Sequence, residues 1–425
     1  MASDPRLLIF DLDYRGHHPG YIQYLVKYWR DRHLPGRLDV LVSQQFLQRH
    51  PQVVALGSAA HRVRFVAITA QEQANLFESA DLETSFKGRI VRAFQEWTIL
   101  RKYTKALGST HAMVMYLDTV LLRLALGASL SCRFSGIYFR PIFHYDQFPN
   151  YTPAGRERLW QWRDRVCLNR LVRSRQLSTL FCLDSFAAEA INRMDRQQRA
   201  TYLPDPVEIQ ASECSMQEDL RQRFGVEPGR MVCLLFGVLT ERKGMYQVLE
   251  SVRHLAAAEA KQLCFWLVGT IHPAERLMLQ AKIQEVQRSH PIQICCQHDF
   301  VPDTSVSSYF QQSDVILAPY QRHIGMSGIL LHAAAAQRPV LSSDFGLMGE
   351  VVRRHQLGIT VNSEDPAAIA QGLRQFLWEP AARVGQPEAM RQFAEQNRAA
   401  EFAARVFQAI APVLTDGLTD GLADG

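Results

Sequence analysis

The chain has no pair of cysteines at C-x-x-C spacing. Its eight, Cys132, Cys167, Cys182, Cys214, Cys233, Cys264, Cys295 and Cys296, lie mostly inside apolar runs. They read as reduced core residues, which argues against a metal held by thiolates. Nor does any uninterrupted apolar stretch approach the ~20 residues of a membrane span. The opening MASDPRLLIFDLD brings an acidic residue early and enters a strand at once, unlike a secretory signal, so the expectation is a cytosolic protein. A Gly-x-Ser-x-Gly nucleophile elbow is also missing, because Gly325-Met326-Ser327-Gly328 fails that pattern by one residue. Ser327 is therefore a phosphate contact or a helix cap rather than a nucleophile.

What is present describes a soluble globular protein. The 425 residues are 47% hydrophobic and 21% charged, enough core material for about two domains. Short apolar runs alternate with helical segments throughout. Leu7 to Leu12, Leu38 to Val42, Val63 to Ile68, Ala112 to Leu117, Gly136 to Phe139 and Leu180 to Leu183 are predicted strands of the first half. Met231 to Phe236, Leu263 to Val268, Ile292 to Cys295, Val315 to Ala318, Val340 to Leu341 and Ile359 to Val361 continue the rhythm. Strand and helix in alternation imply parallel sheets covered on both faces. Pro204-Asp205-Pro206 is the natural break.

Two segments carry chemistry. Met231 to Glu250, MVCLLFGVLTERKGMYQVLE, is a strand, a turn at Gly237, a loop with Arg242 and Lys243, and a helix start. Backbone amides and the positive end of a helix dipole attract an anion there, and two full charges can neutralise a diphosphate. Asp314 to Val351 repeats that logic: a buried strand, amides bared by Gly325 to Gly328, and a predicted helix Ile329 to Gln337 whose alanines allow close packing. The next strand leads to a loop holding Gly346 and Gly349.

The ordered motifs FGVLTERKG, CFWLVG, FVPDTSVSSYFQQSDVILAPY and GMSGILLHAAAAQRPVLSSDFGLMGEVV resemble the C-terminal half of retaining GT-B glycosyltransferases of family 4 (glycosyl transferases group 1). The resemblance is closest from Leu220 to Leu373. It implies an α/β protein of two Rossmann-like domains facing across a cleft, with C-terminal helices crossing back to the first domain. The expected parts are 1–205 for the acceptor domain, 206–385 for the nucleotide-sugar domain, 386–414 for the returning helices and 415–425 for a disordered tail.

The same resemblance distributes roles. Arg242 and Lys243 would stabilise the leaving nucleoside diphosphate, and His144, after the strand ending FSGIYFRPIFHY, would lie near the reacting sugar, with Arg140 beside it and Asp118 a weaker candidate. In the loop Asp13 to Tyr21, Gly16 and Gly20 would let the backbone approach a ligand to which His17 or His18 donates. Gly237, Gly269, Val301, Gly325, Ser327, His332 and Glu350 would line the donor site. The sequence departs from the family where two glutamates are usual, at His332 and at Ile324 or His323, and where an arginine is usual, at Val238. Catalysis of this type needs no metal, no cofactor and no protein nucleophile. Asp11-Leu12-Asp13 has D-x-D spacing but sits at a strand end and reads as a turn.

The expected partners are a nucleotide-sugar donor and a glycan or lipid-linked acceptor. The net charge of +5 is unevenly placed: Ser85 to Lys105 and Arg156 to Arg175 are basic helical stretches with aromatics, able to touch an anionic inner membrane face. Their plainer reading is an apolar face in the core with a solvated arginine surface. No recognition motif for nucleic acid accompanies the charge. The expected function is retaining, metal-independent sugar transfer in glycan or glycolipid assembly. A GT-B-shaped protein that binds without turnover is the alternative, and a nucleotide-sugar epimerase of similar architecture a third reading.

Overall fold

The computed structural model describes residues 4–58, 62–77, 86–148, 150–153, 155–206, 218–379 and 384–419. Ser85, Cys214 and the stretch after Pro206 up to 217 lie outside them, as do the side chains of Phe86, Lys87 and Arg89. The chain forms two compact units. One comprises Met1–His144, Pro153–Pro206 and Ala399–Gly425, the other Tyr145–Thr152 and Val207–Arg398.

The first unit is a seven-stranded sheet in the order β3-β2-β1-β4-β5-β6-β7. Its strands are β1 (Arg6–Phe10), β2 (Arg37–Val42), β3 (Val63–Ala67), β4 (His111–Val114), β5 (Arg133–Tyr138), β6 (Leu177–Cys182) and β7 (Ala200–Tyr202). Every pairing is parallel. Parallel strands are buried on both faces, which is why β1 reads as an unbroken apolar run. One face packs Trp97, Leu100, Phe134, Leu168 and Ile191, and the other Ile22, Trp29, Phe46 and Phe181. Burying a side chain of this size contributes roughly 1.5–3 kcal/mol.

The second unit is a six-stranded parallel sheet in the order β10-β9-β8-β11-β12-β13. These strands are β8 (Met231–Phe236), β9 (Leu263–Val268), β10 (Gln293–Gln297), β11 (Val315–Ala318), β12 (Val340–Ser343) and β13 (Gly358–Val361). In each sheet the winding reverses once, between β1 and β4 and between β8 and β11. Loops leaving adjacent strands in opposite directions open a crevice at the carboxyl ends there, where ligands of open α/β sheets bind.

Several local expectations change. Leu117 opens a helix, Leu117–Ala125, instead of ending a strand, and β7 was not foreseen because its three residues run directly into Leu203 and Pro204. Gly346 and Gly349 lie in a helix, Gly346–Arg354, and not in a loop. A Cβ on Gly349 would stand 2.2 Å from the Asp344 carbonyl oxygen, so this glycine serves close packing. Toward the C-terminus, helix Pro387–Gln396 packs within the second unit on helix Gly328–Ala335. Helix Ala399–Thr419 places Phe402, Val406, Phe407 and Ile410 in the core of the first unit. It runs into the segment from Thr415 for which disorder is expected, and residues 420–425 lie outside the described residues.

Candidate functional site

The carboxyl ends of the strands in the second unit gather its unusual side chains. β8 ends at Phe236 and turns at Gly237, whose amide donates to Val268 O at 2.9 Å. Gly269, just after β9, lies against that turn: a Cβ there would stand 2.1 Å from Gly237 O, and its φ of +132° excludes other residues without strain. Residues Glu241–Lys243 form a 3-10 turn that rolls Lys243 inward. A Cβ on Gly237 would stand 2.7 Å from Lys243 Nζ, so the bare Cα admits the ammonium.

Lys243 is 9% exposed. Its Nζ donates to Phe236 O at 2.6 Å and to Tyr320 Oη at 2.8 Å, and lies 4.8 Å from the Tyr320 ring centroid. Ser327 Oγ donates to the same phenolic oxygen at 3.2 Å. The exposed Arg242 places Nη1 3.0 Å from His323 Nδ1 and its guanidinium over the Tyr320 ring. Tyr320, buried just beyond β11, is thus the hub between the Arg242-Lys243 loop and the start of helix Gly328–Ala335. The loops are also tied by backbone, with Gln321 N donating to Arg242 O at 2.8 Å. Ser363 Oγ lies 3.0 Å from both Tyr320 O and Ser343 Oγ.

The electrostatics of this cluster are lopsided. Arg253, Arg353, Arg374 and Arg391 of the same unit each contact a carboxylate. Among the described residues Arg242 and Lys243 contact none; their partners are an imidazole, a carbonyl, a phenol and a ring face. His323 registers that imbalance. Burial first, then the charges of Arg242 and Lys243, hold its pKa down to about 4 against the opposing Met326 carbonyl. It is neutral at pH 7, and pairing assigns its proton to Nε2, which faces Met326 O at 3.3 Å, leaving Nδ1 to accept from Arg242. A nearly buried ammonium with only neutral partners is costly unless an anion arrives.

Other expected residues stand around this cluster. Ser327 occupies the N-cap of helix Gly328–Ala335 but makes no side-chain bond to its amides, because its hydroxyl is directed to Tyr320. A Cβ on Gly328 would meet nothing within 4 Å, and one on Gly325 would only graze His323, so the space over this helix start is open. Val238 is 59% exposed, where the resemblance expects an arginine. Val301 is buried, whereas neighbouring Phe300 is exposed. His332 is half-buried one turn along its helix, with its ring 5.2 Å from that of Phe310. Glu350 is engaged on its own helix with Arg353 at 3.0 Å and Arg354 at 3.7 Å. Residues 145–152 join this unit through Tyr151 against Phe345, Asn150 Nδ2 on Asp344 Oδ2 at 3.2 Å and Arg322 Nη2 on Thr152 O at 3.0 Å.

The first unit has its own cluster at the ends of β1, β4 and β5. Asp11 is buried and both its oxygens lie within 3.0 Å of His18 Nδ1. Burial raises the Asp11 pKa, and although burial lowers that of His18, the Asp11 carboxylate more than restores it. Asp13 N donates to Asp11 Oδ1, the strand-end turn that the spacing suggested. His17, at the N-cap of helix His18–Asp31, stacks on His18 and Phe139; burial and the His18 charge push its pKa down to about 4. Gly16 is in the preceding turn and Gly20 in the first turn of that helix. Asp118 accepts from Phe139 N at 2.8 Å and Arg140 N at 3.0 Å, and burial raises its pKa to about 6. The Arg140 side chain also hydrogen-bonds Tyr116.

His144 is enclosed. It is 1% exposed, and its Nε2 lies 2.8 Å from Asp184 Oδ2, while Asp184 Oδ1 caps helix Ser185–Asn192 through Phe186 N and Ala187 N. Enclosed in this way, its imidazole is oriented by Asp184. Sequence reasoning also passed over Tyr320; only its place directly behind a buried strand and Pro319 hinted at it. Among the described residues no group of three or more His, Cys, Asp or Glu side chains is arranged to hold a metal ion. A cavity of 510 Å³ lies in the first unit, lined mainly by apolar residues such as Leu76, Ile90, Phe94 and Ile99. It offers nothing to an anion, so the strand ends remain the candidate site.

Known proteins resemble this chain in fold and in one domain. Residues 230–378 match the family described as glycosyl transferases group 1, which places a glycosyltransferase domain in the second unit. The Anabaena protein HepE, solved in complex with UDP, superposes with a TM-score of 0.64 at 14% identity, covering 96% of this chain and 100% of that one. Sucrose-phosphate synthase from Thermosynechococcus elongatus gives 0.65 at 14% identity over 97% and 100%. WaaG, a glycosyltransferase involved in lipopolysaccharide biosynthesis, gives 0.60 at 14% identity over 96% and 99%. At these identities the likeness is one of fold: two Rossmann-like parallel sheets of the GT-B kind. No curated protein sequence matches the chain.

Proposed function

From the glycosyltransferase domain over residues 230–378, we propose that the chain moves a sugar from a nucleoside-diphosphate donor to an acceptor hydroxyl. The observation that carries this reading is the nearly buried ammonium of Lys243, held by Phe236 O and Tyr320 Oη with Arg242 alongside and no described carboxylate on either. A diphosphate supplies the missing counter-charge. As the glycosidic bond breaks, negative charge grows on the departing diphosphate, and cations fixed beforehand stabilise that charge more than the ground state. Transfer is proposed to be retaining and metal-independent, as in family 4, with the acceptor attacking the face the leaving group vacates.

The remaining roles are part of the same proposal. Gly237, Gly269, Gly325 and Ser327 admit the diphosphate to backbone and hydroxyl; Val301, His332 and Glu350 serve the nucleoside and sugar. In the first unit Gly16, His17, Gly20 and Arg140 serve the acceptor and the sugar, and His144, oriented by Asp184, lies near the reacting sugar. His17, being neutral at pH 7, offers one N–H and one lone pair to hydroxyls. The acceptor is a glycan or a lipid-linked sugar on the cytoplasmic side, in polysaccharide or glycolipid assembly.

The test is release of nucleoside diphosphate from a panel of UDP-, GDP- and ADP-sugars, with and without simple glycoside acceptors. Turnover with one base, lost in Lys243→Met, supports transfer. The exposed Val238 and the histidine at 332 favour one rival, a binding protein without turnover. Tight donor binding with no release under any condition would establish it, and donor isomerisation without acceptor would establish the epimerase.

A further inference from the structure

We infer that the helical layer Phe86–Ala106, Leu117–Ala125 and Glu157–Leu171 of the first unit docks on the surface of an anionic lipid bilayer. These three helices pack side by side on one face of the sheet. Among the described residues, every exposed large apolar side chain of the first unit lies on them or at their ends: Val91, Phe94, Leu126, Leu159, Trp160 and Trp162. Exposed apolar side chains scattered singly need no explanation, but a set confined to one layer marks an interaction surface.

Helix Glu157–Leu171 shows the design most clearly. Gln161, Asp164, Cys167, Leu168 and Leu171 are buried. At about 3.6 residues per turn, Leu159 and Trp162 fall on the opposite side, facing water. They are 60% and 62% exposed. Arg158 and Arg165 flank this strip on one side, Arg163 and Arg170 on the other, all exposed. The helix therefore has two apolar faces, one for the core and a narrower one edged by guanidinium groups. Leucine and tryptophan at the centre with arginine on the flanks is what an interfacial helix presents to headgroups and acyl chains.

Charge selects the partner. From Arg156 to Arg175 there are seven arginines against two carboxylates, a net of five positive charges, equal to the formal charge of the entire chain. One of those carboxylates, Asp164, is buried. The plainer reading of the sequence, with all apolar residues in the core and arginines solvated outside, fails for this helix because Leu159, Trp160 and Trp162 are outside too. A surface of anionic lipid satisfies both halves of the pattern. RNA satisfies the charge and offers bases to the tryptophans, but leaves the aliphatic side chains at 91, 126 and 159 without a partner.

Vesicle co-sedimentation of the whole chain, without donor, tests this independently of the transfer reaction. Phosphatidylcholine vesicles are compared with vesicles that also contain phosphatidylglycerol, at low and at raised salt. Expected is binding to the anionic vesicles alone, weakened by salt, with brominated lipid quenching tryptophan fluorescence. Each arginine near such a surface contributes about a fivefold change in affinity, so Arg158→Gln with Arg170→Gln should weaken binding about 25-fold. Trp160→Ala with Trp162→Ala should weaken it as well and remove most of the quenching. Unchanged thermal midpoints and nucleoside diphosphate binding show that these variants are folded. Equal binding to both vesicle types, no binding, binding indifferent to both variant pairs, or polyuridylate displacing the vesicles would each overturn the inference.

Discussion

Replacing Lys243 by methionine separates the cost of the ammonium from its use. The side chain fills similar space but loses its charge and its two hydrogen bonds, to Phe236 O and Tyr320 Oη. Bonds from a charged donor contribute roughly 1.5–3 kcal/mol each. Against them stands the desolvation of a nearly buried ion, several kcal/mol on its own scale. The terms offset, and the unliganded variant should be within about 2 kcal/mol of the parent. Ligand binding should respond quite differently. Truncating one member of a buried charge pair costs about 2–5 kcal/mol, and a loss of ~3 is a factor of about 150 in Kd. At ligand 100 times above the parent Kd, the parent gains about 2.7 kcal/mol of stability and the variant about 0.3. For a unit of this size that is a rise in Tm of about 5–10 °C falling to about 1 °C. Differential scanning fluorimetry and calorimetry with UDP, GDP and ADP measure it. A variant that keeps the full ligand-induced rise would refute a Lys243 contact with the diphosphate.

Tyr320→Phe removes the oxygen shared by Lys243 and Ser327 and leaves the ring; a loss of about 1–3 kcal/mol in urea unfolding and weaker nucleotide binding are expected, and unchanged binding would deny the hub its role. Gly269→Ala drives a Cβ onto Gly237 O at a backbone angle that L residues avoid, so a loss of more than about 3 kcal/mol is expected, and one below about 1 would show that the strand ends can yield. His323 titrates near 4 when folded and near 6.5 when unfolded, so from pH 6.5 down to 4 the unfolded chain binds the extra proton and stability falls. The fall attributable to this residue is about 3 kcal/mol at most, seen as the difference in Tm against pH between parent and His323→Gln. A bound diphosphate should raise the His323 pKa in an NMR titration, by offsetting Arg242 and Lys243.

The sheets were legible because parallel strands are buried on both sides and cannot hide their apolar runs; β8, β9 and β11 begin and end where the sequence put them. β7 was not, being three residues on a sheet edge. Gly349 misled because glycine marks a turn and a tight packing contact alike, and only the backbone of Asp344 tells which, whereas Gly346 keeps a turn's φ of +62° where the helix begins. The cationic loop could be read from Arg242 and Lys243, but not that Lys243 turns inward onto a tyrosine 77 residues away. Charge types are written in the chain; the lack of a carboxylate beside them is a property of the fold. The enclosure of His144 was unreadable for a similar reason, since only the fold brings Asp184, forty residues on, against it.

A crystal structure of the chain with a nucleoside diphosphate bound tests the proposed anion site most directly. The diphosphate oxygens should lie within hydrogen-bond distance of Lys243 Nζ and the Arg242 guanidinium, beside Ser327 and the start of helix Gly328–Ala335. A diphosphate bound elsewhere, with Lys243 still closed on Phe236 O and Tyr320 alone, would contradict it.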